Sequence, residues 1–167
     1  MPRFLVDTNV LSNRRDAEGE RHVAIWFQRY ASLIRVSVVT VAEMHRGLLL
    51  LERTADAAGD RKAKMRLTGA LKSKRAWYDT VLDRFGDRIE PIDREVAEKW
   101  AEVSVRFPSL RDGDKAIAAT AIAKGYGVAT RNLGDFRLAG VPLVNPFDPG
   151  TWNEEPDDDP VAGLLRG

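Results

Sequence analysis

Short apolar runs alternate along this chain with longer stretches whose apolar residues recur at helical spacing, and that alternation limits what it can fold into. Phe4-Leu5-Val6, Val36-Ser37-Val38-Val39, Ile89 to Ile92, Val128 to Thr130 and Leu143-Val144 read as strands. Between the first two, Val23, Trp26, Phe27 and Tyr30 fall at i, i+3, i+4 and i+7, one face of a helix. Thr40 to Glu52 is helical in pattern, and its end, Leu48 to Leu51, is apolar on most sides and needs burial, for which a second subunit is one candidate. Asp93 is placed to cap a helix bearing Val96, Trp100, Val103 and Phe107, with Pro108 just past its end. "RDGDKAIAATAIAKG" is an alanine-rich helix closed by Gly125. Strands separated by helices build a three-layer α/β/α sandwich around a mainly parallel sheet, here of four or five strands, with Pro91 marking an edge or a strand end. That domain is expected over residues 1–149. Residues 150–167, acidic and rich in Pro and Gly, read as a poorly ordered tail.

The 167 residues suffice for one sizeable core. Lys and Arg (26) almost cancel Asp and Glu (25), so attraction to a charged partner has to come from local clusters. One such cluster is Arg61, Lys62, Lys64, Arg66, Lys72, Lys74 and Arg75, which is either a solvated helix face or a nucleic-acid patch. The absence of cysteine excludes disulfides, thiolate zinc sites and cysteine nucleophiles together. With neither a leader-like opening nor an apolar run near the ~20 residues a bilayer span needs, a cytoplasmic protein is expected.

In a parallel sheet the carboxyl ends of the strands share one edge, and several acids are placed to reach it. Asp7 ends the first strand, either as a turn or cap residue or as part of a site at that edge. Glu43 begins the helix after the second strand; it completes a Thr40-x-x-Glu43 capping box or faces the cleft. At 100° per residue Asp114 shares a face with Ile117, Ala118 and Ala121 and points over the sheet edge, whereas Asp112, about 140° from Ile117, makes the better N-cap. After the fourth strand come Thr130, then Asn132, which is placed to cap a short turn, and Asp135, a site residue or a solvated turn. Three or four carboxylates at one edge repel unless something neutralises them. Hard oxygen donors suit Mg²⁺ or Mn²⁺, and such a centre can activate water against a phosphodiester.

Together "FLVDTNVLS", "VSVVTVAEMHRG", "DKAIAATAIAKG" and "VATRNLGDF" resemble the PIN-domain ribonucleases of the VapC toxin type, closest to the FitB-like branch. The likeness runs to about "PLVNPFDP", nearly the whole chain. Four ordered motifs make it specific, although "DTN" by itself is weak. By position, Asp7 matches the family's first metal-binding acid, Glu43 the second and Asp114 the third. The fourth acid of similar proteins stands at the position of Asn132 or of Asp135, and here only Asp135 is acidic. Thr8 and Asn9 then support the turn after Asp7, and Thr130 and Asn132 become polar helpers. The resemblance implies Mg²⁺ or Mn²⁺, hydrolysis of RNA by a metal-activated water, a homodimer, and inhibition by a cognate VapB-like antitoxin.

Three other readings compete. An aspartyl-phosphate phosphotransferase needs a second Asp where Asn9 stands. A nucleotide-binding module needs a phosphate loop, and Gly125-Tyr126-Gly127 falls at a helix end instead. A non-catalytic RNA-binding or scaffolding domain has no use for a bare carboxylate cluster, which would hinder phosphate binding.

Overall fold

The structure, a computed structural model, describes residues 3–12, 17–137 and 139–152. Five strands form one sheet: β1 (Phe4–Val6), β2 (Ile34–Ser37), β3 (Ile89–Glu90), β4 (Gly127–Ala129) and β5 (Leu143–Val144). Their order is β3-β2-β1-β4-β5 and every neighbouring pair is parallel. The helices are α1 (Thr8–Leu11), α2 (Ala17–Arg29), α3 (Val38–Asp56), α4 (Arg61–Phe85), α5 (Arg94–Arg106), α6 (Asp112–Lys124) and α7 (Leu133–Arg137).

Strand alternation divides the core in two. Val6, Val36 and Ala129 face one way, against Trp26 and Tyr30 at the end of α2, Met44 of α3 and Val81 and Phe85 of α4. Leu5 and Val128 face the other, against Val103 of α5, Ile117, Ala118 and Ala121 of α6 and Phe136 of α7. The close approach of β4 to its surroundings explains Gly127: a Cβ there would lie 2.7 Å from the Phe4 ring and 2.9 Å from the Pro142 carbonyl oxygen. Gly125 closes α6 in the left-handed region at φ 65°, its N–H returning to the helix carbonyls, as the sequence pattern indicates.

Local chemistry moves three boundaries from their expected places. The second strand ends at Ser37, because the Ser37 hydroxyl caps α3 by accepting from the Val39 N–H at 3.2 Å. Val38 and Val39 are therefore helical despite their β-branched side chains, a local cap having overridden propensity. Thr40 and Glu43 consequently form no capping box; Thr40 is buried and its hydroxyl reaches the Val6 carbonyl at 3.5 Å. Asp112 is the first residue of α6 rather than its N-cap, a place taken by Arg111. The phase prediction for α6 holds for its two acids, with Asp112 exposed and Asp114 buried. The helix is not apolar on one face alone, however: Asp114 to Ala121 are buried without interruption, since alanines let neighbours close on every side.

The basic stretch lies on the first half of α4, which packs beside α3, with Lys74 lying over Gly47. Leu48 is buried, while Leu49 and Leu50 remain about half exposed. Among the described residues no helix is long and apolar enough to cross a membrane. The chain stays packed on the domain as far as Trp152, whose carbonyl accepts from the Tyr30 hydroxyl at 2.9 Å. Of the expected tail over 150–167, the first three residues are thus held to the domain rather than loose, and residues 153–167 lie outside the described residues.

Candidate active site

The strand order itself locates a crevice. From β1 the chain proceeds outward to β2 and β3, then returns to the other side of β1 to place β4 and β5. Ligands of open α/β folds bind where the carboxyl ends of strands part at such a reversal. Asp7 follows β1 and Thr130 follows β4, and their side chains meet: the Thr130 hydroxyl donates to Asp7 Oδ2 at 2.8 Å. Asn9 Nδ2 donates to the same oxygen at 2.5 Å, and the Arg131 N–H donates to Asn9 Oδ1 at 3.1 Å. Asn132 adds its backbone N–H, donated to the Thr130 hydroxyl at 3.0 Å.

Asp7 occupies the N-cap position of α1 in extended conformation, yet its side chain makes no capping bond. Its carboxylate is instead turned into the crevice and buried, so the cap explanation for this residue fails. Burial pushes the Asp7 carboxyl above the ordinary aspartate range of 3.8, and the charges of Asp114 and Glu43 push it the same way, while the Thr130 hydrogen bond opposes them.

Three elements contribute the cleft acids. Asp7, Thr8, Asn9, Ser12, Glu43, Arg46, Arg111 and Asp114 line one cavity of about 360 Å³. Glu43, on the second turn of α3, accepts from the Thr8 hydroxyl at 2.5 Å. Its Oε1 lies so close to the start of α6 that a Cβ at Gly113 would stand 2.6 Å from it, so the glycine makes room for this carboxylate. Asp114 is paired with Arg111, Nε to Oδ2 at 2.8 Å and a second guanidinium nitrogen to Oδ1 at 3.3 Å. The expected fourth acid stands apart. Asp135 is absent from the cavity lining and accepts from the Asn132 side-chain amide, though its charge is felt at Arg111.

Of the residues expected at the site, the structure brings Asp7, Thr8, Asn9, Glu43 and Asp114 onto one cavity; Arg111, Arg46 and Ser12 on the same lining, and Gly113 against Glu43, were not anticipated from sequence. The i, i+3 spacing of Arg111 and Asp114 was the available signal for one of them.

The donor set fits a hard divalent cation: carboxylate and hydroxyl oxygens, with a buried carboxylate whose charge needs compensation. Among the described residues no three acidic or histidine side chains already stand close enough to share one ion. Mg²⁺ requires only one or two carboxylates and completes its shell with water, so the carboxylates lining this cavity are of the kind it uses.

Fold and cleft define a doubly wound α/β protein with an acidic centre at its switch point, and comparison with known proteins gives that class a family. The PIN domain model matches residues 4–140. A relative described as VapC ribonuclease Y4jK, from Sinorhizobium fredii, is 32% identical over 153 residues, covering 87% of this chain and 99% of that protein. Toxin FitB of Neisseria gonorrhoeae is 30% identical, covering 86% and 98% respectively. A solved structure of FitAB bound to a DNA fragment superposes with a TM-score of 0.66 at 28% identity, over 87% of this chain and 96% of that one. The chain belongs to the PIN-domain family, among the VapC- and FitB-type toxins.

Proposed function

We propose that this protein is a metal-dependent endoribonuclease that hydrolyses RNA phosphodiester bonds, the toxin of a VapBC-type toxin–antitoxin pair. The observation that carries the reading is the convergence of Asp7, Glu43 and Asp114, from three separate elements, on one cleft at the switch point. Relatives named as a VapC ribonuclease and as a toxin support it.

In this reading Asp7 and Asp114 would hold Mg²⁺ or Mn²⁺, with Glu43 on the same cleft completing the acidic centre and Asp135 as a more distant fourth acid acting through Asn132. Such an ion, when bound, would supply Lewis acidity toward water and charge stabilisation at the phosphodiester. The chain's own residues prepare that centre. Thr130 and Asn9 fix the Asp7 carboxylate by hydrogen bonds, and Thr8 fixes Glu43. Arg46 and Arg111 line the same cavity and offer positive charge to a polyanion entering it. An apolar groove of about 820 Å³ opens next to the cleft, shares Ser12 with it and is lined by Val10, Val23, Phe27, Leu51 and Trp77. It suits an antitoxin segment carrying apolar side chains. Exposed Leu49 and Leu50 suit a homodimer contact.

The test is cleavage of a mixed RNA pool with Mg²⁺ or Mn²⁺, with and without chelator. Asp114→Asn should lower metal-dependent cleavage by orders of magnitude, while Asp112→Asn, on the exposed side of the same helix, should cleave as the parent does. Absence of metal-dependent cleavage by the parent protein would leave a non-catalytic RNA-binding domain as the better reading.

A further inference from the structure

Arg111 reaches from solvent onto a buried acid. Its side chain is 76% exposed, whereas that of Asp114 is only 5% exposed. Although Arg111 holds the N-cap position of α6, its side chain makes no capping bond. The guanidinium instead engages both Asp114 oxygens. The negative charges of Asp135 and Asp7 reinforce its own positive charge in turn. It thus stands where neutralisation is most needed, facing three of the four acids named above.

We propose that Arg111 is the resident counter-cation of the centre: it holds Asp114 when no divalent ion is bound and gives up that carboxylate when one arrives, and so sets how tightly the centre takes its metal. The proposal rests on Asp114 being a metal ligand. A two-pronged guanidinium occupies both carboxylate oxygens. A divalent ion taking a remaining lone pair of this carboxylate would stand beside the guanidinium, and like-charge repulsion then favours release of the pair. The exposed arginine stem has room to swing outward, and no helix cap is lost when it does.

The experiment compares the parent protein with Arg111→Gln and Arg111→Lys, by thermal melting in chelator and across a Mn²⁺ series, and by calorimetric Mn²⁺ titration. In chelator, Arg111→Gln should melt lower by roughly 2–4 °C, the shift a modest ion pair gives in a protein of this size. It should bind Mn²⁺ about fivefold more tightly, the upper end of what such a pair is worth. The deficit in melting temperature should shrink as Mn²⁺ rises, and Arg111→Lys, which keeps the charge but not the two-pronged contact, should recover part of the melting in chelator. An equal deficit with and without Mn²⁺ overturns the proposal and marks an ordinary ion pair. Unchanged or weaker Mn²⁺ affinity in Arg111→Gln, beside a parent that binds, overturns it while leaving the ligand assignment standing. If neither protein binds Mn²⁺, the ligand assignment fails and takes the proposal with it.

Discussion

At Gly113 a missing side chain makes space for Glu43. Gly113→Ala would place a Cβ 2.6 Å from Glu43 Oε1, and the end of a flexible side chain yields more easily than backbone. The expected outcome is loss of metal-dependent cleavage, with metal-free melting within a few degrees of the parent; a cooperative unfolding defect would show instead that the helix moved. Asp7 makes a different prediction, through pH. Its folded-state pKa is raised above 3.8, so the stability it contributes is complete below that value, where it is protonated, and is lost as pH rises through the folded pKa. Metal-free parent protein should therefore lose stability relative to Asp7→Asn as pH rises from about 4. Melting of both proteins in chelator across that range checks the sign, and parallel curves would contradict it. Single residues were legible from sequence where one element's geometry decided them. Helical phase separated Asp114 from Asp112 because both lie on α6. The contact of Glu43 with Thr8 and Gly113 joins three elements, and no local pattern encodes it.

Elements were easier to recognise than their ends. The strands and helices α2, α3, α5 and α6 follow from the sequence pattern, and the two-residue β3 sits at the sheet edge beside Pro91. What periodicity could not settle was competition at a boundary: the Ser37 hydroxyl starts α3 inside a β-branched run, and Val38 and Val39 follow it into the helix. Helix α4 carries the remaining expectation at this scale. Lys62, Lys64, Arg66 and Lys72 are exposed on its first half, while Lys74 is partly covered against Gly47. If this face binds RNA, each phosphate contact adds roughly −0.7 to the slope of log affinity against log salt for a single strand. Replacing those four residues with Gln in an inactive Asp114→Asn background should flatten that slope. An unchanged slope would make α4 a solvated face that serves only to pack beside α3.

Across the whole molecule the sheet order has a cost in time. The strand at the centre of the sheet, β1, is the first made, and its neighbour β4 lies more than a hundred positions later. The hydrogen bond between Asp7 and Thr130 spans 123 positions. Contacts so distant in sequence form late, because the intervening loop must be closed before they are gained. A fragment covering residues 1–126 should accordingly lack both a cooperative melting transition and any metal-induced shift, which calorimetry with and without Mn²⁺ can check; a folded, metal-responsive fragment would refute the dependence on β4. During synthesis the same geometry acts as a delay. A growing chain displays Asp7 and Glu43 long before Thr130 and Asp114 exist to complete their surroundings. Until β4 has left the ribosome the contact between Asp7 and Thr130 cannot form, so the proposed activity, which needs that cleft, can appear only once translation of the domain is almost finished.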